Sequence, residues 1–428
     1  MLTREENELL CRVGPGTPMG AMLRRYWIPA CLSEELPERD GPPKRLRLLG
    51  EDLIAFRDSE GRVGVFDESC PHRGASLRLA RNELGGLRCL YHGWKFDVTG
   101  RCLEMPAEPA GSAFRDRVKA IAYPVRERAD LVWVYMGPPE RTPPFPEFEW
   151  VAADGEHRWI TKIEEECNFI QAMEGSIDSA HASILHGSEI RPTAQGADYS
   201  PGAATIQRPS EDSAPTLEVE NTDFGFYYAA LRMPMNDPEN SLFVRIVPFI
   251  APFYTLIPPV YPLIFVPLDD HHTAWYTVLH DPARPVAPLL EGHKALFGFE
   301  IGKDLDEGYR MFRNGGNGWL QDRSAMKNGS FTGLTGVSIQ DAVVQESMGP
   351  IIDRTREHLG ATDAAVIRMR RLMIDSARRV QEGGEPLGLD KPVDYAGIRS
   401  AVATISKGTH WLSLVSDRPA RQKQAKPE

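Results

Sequence analysis

Cysteine and histidine alternate in two short runs, Cys70-Pro-His72 and Cys89-Leu-Tyr-His92, with sixteen residues between His72 and Cys89. Such a set can close a disulfide, bind structural zinc or hold an iron–sulfur cluster. A disulfide would use both thiols and leave the histidines without a role. A zinc finger usually pairs Cys with Cys and His with His. Here each loop offers one of each, which suits a two-iron cluster with thiolates on one iron and imidazoles on the other. Neutral imidazoles in place of two thiolates remove negative charge and raise the reduction potential. Gly74 and Gly93 follow the pairs, and glycine lets the backbone come close and aim N–H groups at cluster sulfurs.

A second set lies in 164–187, which reads as one helix stopped by Gly187. It holds Asp178, His181 and His186. Asp178 and His181, three apart, share a helical face. His181 and His186, five apart, are separated by about 140° around a regular helix. They converge only if the helix widens or ends between them. Two histidines and a carboxylate on one side of an iron, with other positions open, make the non-haem Fe(II) triad. A surface salt bridge is the plain alternative for such residues. Arg245 sits inside the apolar run "SLFVRIVPFIAPF" (241–253), and Arg208 in "IQRPSED". A buried arginine is costly unless a carboxylate satisfies it, either the protein's own or a substrate's held in a bidentate fork.

The elements that must carry these groups divide the chain in two. Residues 45–135 read as short strands, with turns at 58–61 and near Thr99-Gly100. The stretch "GPPERTPPFPEFEW" (137–150) stops helix and strand alike, so the expected domains are 1–150 and 151–428. In the second, strand-like runs fill 216–280 and a helix is expected over Asp363–Gln381, where Val366, Met369, Met373, Ala377 and Val380 recur at helical spacing. That makes an α+β domain. Thr3 to Glu6 fits a capping box. The apolar run Ile246–Leu268 is broken by prolines, each costing a helix about 3 kcal/mol, and reads as sheet rather than a membrane span. Segments 186–204 and 313–336 are rich in small and polar residues and read as lids or solvated loops.

The chain has 428 residues, is 42% hydrophobic and 25% charged, and carries a net charge of −11, which argues against nucleic acid as a partner. "MLTREENELL" lacks a signal-peptide core, so a cytoplasmic setting is expected. Six cysteines, two of them beside histidines, fit metal usage in a reducing compartment. Cys11, Cys31, Cys102 and Cys167 read as small buried hydrophobes. More than 250 residues follow the cluster part, so the electron is expected to be used on the same polypeptide.

The two loops, Cys-x-His and Cys-x-x-His-Gly-Trp, resemble a Rieske [2Fe–2S] domain of the kind without a loop disulfide, Ala75 and Tyr91 standing near where its cysteines would be. Asn168-x-x-Gln171-x-x-Glu174-x-x-x-Asp178-x-x-His181-x-x-x-x-His186 resembles the catalytic helix of Rieske non-haem iron oxygenases. "TREENELLCRVGPGTPMGAMLRRYWIPA" and "GPIIDRTREHLG" are similar to oxygenase components of the phthalate 4,5-dioxygenase type. The resemblance covers essentially the whole chain.

What it implies is an N-terminal all-β Rieske domain followed by an α+β catalytic domain whose antiparallel sheet is flanked by helices. Its cofactors are a [2Fe–2S] cluster on Cys70, His72, Cys89 and His92 and a mononuclear Fe(II) on His181, His186 and a distant aspartate. The segment 338–357, "SIQDAVVQESMGPIIDRTRE", matches the one that supplies that aspartate. Asp341 is chosen from it. Glu346 and Asp353 are nearby candidates, and a helix cap is the plain alternative for Asp341. Asp178 resembles the family's bridging aspartate, linking an iron-ligand histidine to a cluster histidine of the neighbouring subunit. A head-to-tail homotrimer or stacked pair of trimers follows, fed by an NAD(P)H-dependent reductase with flavin and an iron–sulfur centre. The expected reaction is O₂-dependent hydroxylation, by cis-dihydroxylation, of an aromatic carboxylate such as a phthalate, with Arg245 and Arg208 binding the substrate. Monooxygenation or O-demethylation of an aryl ether or substituted benzoate is the alternative.

Overall fold

The computed structural model describes residues 1–416 apart from 110, 201, 204, 259 and 260. Its first helix, Arg4–Cys11, is closed by the expected reciprocal cap between Thr3 and Glu6. A second, Pro18–Leu23, has Thr17 as cap and proline in its first turn, where a missing N–H costs nothing. Both pack on the helix Ala364–Gln381. The N-terminal helices therefore belong, by contact, with the far end of the chain as much as with the strands that follow them.

Those strands form three small antiparallel sheets. Trp27–Leu32, Leu131–Tyr135 and Val125–Arg128 make one; Lys44–Leu48, Glu51–Arg57, Val63–Asp67 and Ala122–Tyr123 make another. The third, Arg81–Glu83, Gly86–Arg88, Lys95–Phe96 and Cys102–Glu104, carries the second Cys-His loop between its two inner strands. A small core of its own, including Ile54, Phe56, Phe66, Leu77, Leu87 and Phe96, lies beneath the two Cys-His loops. This part is all-β, as the resemblance implies.

The rest is built on one antiparallel sheet. In spatial order its strands are Arg158–Glu165, Thr273–His280, Tyr261–Pro267, Tyr254–Ile257, Ser241–Ile250, Gly225–Arg232 and Thr216–Thr222, and Ala401–Ser406 also pairs with Ser241–Ile250. The proline-broken run 246–268 is thus a meander, and no described helix is long and apolar enough to cross a membrane. Helices Phe169–Ile177 and Val337–Ser347 pack together beside this sheet. The connecting stretch 137–150 is anchored rather than free: Phe145 packs on Trp133 at 5.1 Å and Phe148 on Tyr254 at 4.9 Å. One core runs through both, from Leu10 and Trp133 to Tyr276 and Met373.

One expectation is corrected. Residues 164–187 are not a single helix. Glu164 and Glu165 still pair with Ala274 and Thr273, Asn168 caps a helix of nine residues, Phe169–Ile177, and His181–Ser183 is a separate 3-10 turn. The break has a local cause. Asp178 takes extended backbone (φ −88°, ψ 112°) and its Oδ1 accepts from the N–H of Ala180 at 2.7 Å, so its side chain starts a new turn instead of continuing the old one.

Candidate metal centres and active-site cavity

The two Cys-His loops share one backbone design. Cys70 N–H donates to Ala75 O at 2.9 Å and Gly74 N–H to Cys70 O at 2.9 Å; Cys89 N–H donates to Trp94 O at 2.8 Å and Gly93 N–H to Cys89 O at 3.0 Å. Gly74 and Gly93 turn the chain with φ of 72° and 74°, and at Gly93 a Cβ would come within 2.6 Å of Pro106 Cγ. The loops face each other, with the rings of His72 and His92 4.3 Å apart at 71°. Trp94 stacks on His72 at 4.3 Å.

Nδ1 of His72 and Nδ1 of His92 are both buried without a hydrogen-bond partner among the described residues. Beside them Cys70 and Cys89 are buried free thiols. Burial pushes Cys70 up to about 11, and the sulfur of Cys89 adds to this against the N–H groups of His72 and Arg73 aimed at it. Two orphaned imidazole nitrogens and two thiols make a donor set that fits a [2Fe–2S] group with mixed ligation.

The second set converges because the helix ends. His181 Nε2 lies 3.2 Å from His186 Nε2. Asp341 Oδ1 is 3.4 Å from the first and 3.1 Å from the second. Donors about 2.0–2.2 Å from a shared ion lie roughly 3 Å apart, so the triangle fits one. Asp341 sits inside the helix Val337–Ser347, four residues past its first residue, and is not its cap. Of the other carboxylates considered, Asp353 is exposed and accepts from Thr355. Glu346 is taken by Trp319 Nε1 and the Glu166 N–H.

The histidines are held from behind. His186 Nδ1 meets Gln340 Oε1 at 2.7 Å, and Gln340 Nε2 donates to Leu334 O at 2.9 Å and to Glu189 at 3.2 Å. His181 Nδ1 lies 3.4 Å from Asp178 Oδ2. Burial alone would lower the His181 pKa, but Asp178 and Asp341 carry it up to about 10. Burial would raise Asp341, yet the charges of His186 and His181 hold it well below the carboxylate range. The three side chains offer one ligand atom each to a single ion. Asp178, half-buried, reaches the surface beside it.

The polar residues of the helix Phe169–Ile177 hold this frame. Asn168 donates to Cys11 O and Asp270 O. Gln171 donates to Gly349 O and accepts from Ile352 N–H. Glu174 takes Arg354 at 3.0 Å and Arg370 at 2.6 Å.

A cavity of about 870 Å³ of non-atom space, partly open to solvent, adjoins His181, His186 and Asp341. Ile257, Leu263, Trp275 and Phe297 give it an apolar wall. Arg245 and Arg208 both reach it, and so does Arg232, which the sequence reading missed. Arg232 ends an apolar strand just as Arg245 interrupts one, and that signal was available. Across the strand pair Ala230 faces Arg245 and Phe243 faces Arg232, so the two arginines are diagonal neighbours on one face. None of the three has a carboxylate in ion-pair range among the described residues; their partners are serine, tyrosine and backbone oxygens. Burial pushes Arg232 down to about 10, helped by the charges of Arg208 and Arg245. From segment 186–204, Ile190 and Tyr199 line this cavity; residues of 313–336 line a different one, with Trp319 and Phe331.

Residues 26–123 match the family model described as Rieske [2Fe-2S] domain, and residues 134–427 match LigXa C-terminal domain like. The chain is 47% identical to the phthalate 4,5-dioxygenase oxygenase subunit of Pseudomonas putida, covering 96% of this chain and 94% of that one. It is 36% identical to the 3-chlorobenzoate-3,4-dioxygenase oxygenase subunit of Comamonas testosteroni, covering 98% and 99%. Among solved structures, dicamba monooxygenase bound to dicamba superposes with a TM-score of 0.58 at 19% identity, over 85% of this chain and 99% of that one. At that identity the likeness is one of fold.

Proposed function

The chain belongs to the Rieske non-haem iron oxygenases, as an oxygenase component, and from that premise we propose that it hydroxylates an aromatic carboxylate, by cis-dihydroxylation of a phthalate-type ring. The observation that carries this reading is a trio of arginines without carboxylate partners among the described residues, Arg208 and Arg232 buried and Arg245 half-buried, in the cavity that His181, His186 and Asp341 adjoin.

In this reading Cys70, His72, Cys89 and His92 hold the cluster, and His181, His186 and Asp341 hold the mononuclear iron. When bound, the cluster supplies single electrons and the iron supplies dioxygen activation at its open positions. The protein's residues do the rest. Gln340 fixes the His186 ring so that Nε2 faces the iron position. Asp178 orients His181 and, at the half-open surface beside it, offers the link to a cluster histidine of the next copy. Arg245 forks a substrate carboxylate, Arg208 donates to the substrate's carboxylate oxygens through Nη2, and Arg232 adds positive charge behind them. Ile257, Leu263, Trp275 and Phe297 take the ring and exclude water.

A separate NAD(P)H-dependent reductase with flavin and an iron–sulfur centre delivers electrons, and the working assembly is a ring of three. Leu90 and Tyr91, exposed between Cys89 and His92, give that ring an apolar contact at the cluster.

Mass spectrometry of products formed under labelled O₂, across phthalates, benzoates and aryl ethers, tests the reaction. A dihydrodiol carrying both labelled atoms is expected. A single labelled atom in a phenol or an alcohol would move the reading to monooxygenation or O-demethylation. Arg245→Met is expected to raise KM for the aromatic acid sharply with iron content unchanged; an unchanged KM removes Arg245 from the site.

A further inference from the structure

The turn that carries His181 is gripped at both ends by the arginines of the cavity. Ahead of it, the hydroxyl of Ser179, which is 1% exposed, accepts from Arg245 Nη1 at 3.3 Å. Arg232 reaches the same serine twice, its Nη2 donating to the carbonyl at 2.6 Å and both Nη atoms lying 3.4 Å from the hydroxyl. Behind the turn, the Ser183 hydroxyl accepts from Arg208 Nη1. His181 lies between the two serines, and Asp178 directly precedes the first.

These arginines still have donors to give. Among the described residues Arg245 donates through Nη1 alone, to Ser179 and Tyr228. Arg208 uses Nε and Nη1. The Nε–Nη2 edge of Arg245 and Nη2 of Arg208 are therefore available to a ligand. A guanidinium is rigid and planar, so a carboxylate that fixes its free edge also fixes the edge turned to the serine.

We propose that Ser179 and Ser183 are positioning residues that report anion occupancy of the cavity to the Asp178–His181 turn. A carboxylate on Arg245 and Arg208 locks the guanidinium planes. The serines pass that order to the turn, and Asp178 and His181 are then held in line for electron delivery. The linkage rests on the reading of the arginines as substrate anchors, and it would make electron delivery depend on the bound anion through named hydrogen bonds. Being a coupling between sites, it acts both ways: whatever orders the turn also tightens the anion site.

The test uses the holoprotein with phthalate as probe and the variants Ser179→Ala, Ser183→Ala, Ser183→Thr and Arg245→Met. Calorimetry gives the dissociation constant, hydrogen–deuterium exchange follows residues 178–187, and stopped-flow absorbance follows reoxidation of the reduced cluster. In the wild type and in Ser183→Thr, phthalate should slow exchange in the turn and speed reoxidation. The alanine variants should still bind phthalate, weakened by no more than about tenfold, yet lose on the order of tenfold of the acceleration, together with the exchange protection. Alanine variants that keep both effects overturn the linkage. So do alanine variants that lose phthalate binding outright, since the serines would then be anchors. Arg245→Met that binds phthalate as the wild type does removes the anchor reading itself, whatever the serines do.

Discussion

His186 presents Nε2 because Gln340 occupies its Nδ1, and Gln340 is itself tied to Leu334 O and Glu189. Such outer partners are worth about 10–100-fold in metal affinity. Gln340→Leu should weaken iron retention by about that factor in chelator competition, with the cluster absorbance unchanged. Glu165 tests burial rather than ligation. It is fully buried, with one carboxyl oxygen unpartnered among the described residues. Burial first, then Glu346 and Asp341, push its pKa well above 4.5. The folded protein therefore holds this proton where the unfolded chain has lost it, and stability falls as pH rises from about 4.5 toward the folded pKa. Glu165→Gln keeps shape and neutrality. Its Tm should exceed the wild type's at pH 8, the gap closing near pH 4.5; a gap independent of pH would mean that Glu165 is ionised in the fold. At this scale the sequence is most legible where ligands are adjacent. The Cys-His loops declare themselves because four donors come from two short turns. Asp341 lies 155 residues from His186, and only resemblance selected it. Arg232 carried the same signal as Arg245, a charge in an apolar strand, whereas Ser179 became visible only with the turn in place.

At the scale of elements, the helix Phe169–Ile177 is positioned by buried charge. Glu174 is shared by Arg354, from the loop after the aspartate helix, and Arg370, from the closing helix, while Arg370 also takes Glu357 at 2.5 Å. Arg354 is fully buried and also meets Asn7 and Cys11 of the first helix. Removing the carboxylate leaves two buried arginines short of a counter-charge, which costs about 3–5 kcal/mol. Glu174→Ala should lower the unfolding free energy by about that amount in urea titration; a change near zero would show that Glu357 alone satisfies both. The helix boundary is where the scarcity of breakers misled. Residues 164–187 contain few breakers, and the two ends are set by side chains that hydrogen-bond locally, Asn168 at one and Asp178 at the other. The strand runs between 216 and 280 were readable, but their spatial order was not, because hydrophobic alternation sets which face is buried and not which strand is the neighbour.

At the scale of the whole molecule, the two centres sit in the two stretches that separate family models match. The cluster loops stand over a small core of their own, and the iron triad stands beside the large sheet that shares its core with the N-terminal helices. Asp178, half-buried, stands beside the second, while Leu90 and Tyr91 lie exposed in a loop of the first. In the proposed assembly one such face meets the other on a neighbouring copy. Contacts of that kind are heterologous, and they close into a ring when the rotation permits. The electron would then leave one copy's cluster and enter the next copy's iron. Complementation between two inactive variants tests this directly. Cys70→Ser removes the cluster and leaves the triad; His181→Ala removes the triad and leaves the cluster. Each alone should turn over no substrate. Co-expressed and purified as mixed rings, they should recover activity, because some interfaces pair an intact cluster with an intact triad across the Asp178 contact. Activity that stays absent in mixed rings of verified composition and metal content would place the electron path within a single chain and leave Asp178 without its bridging role.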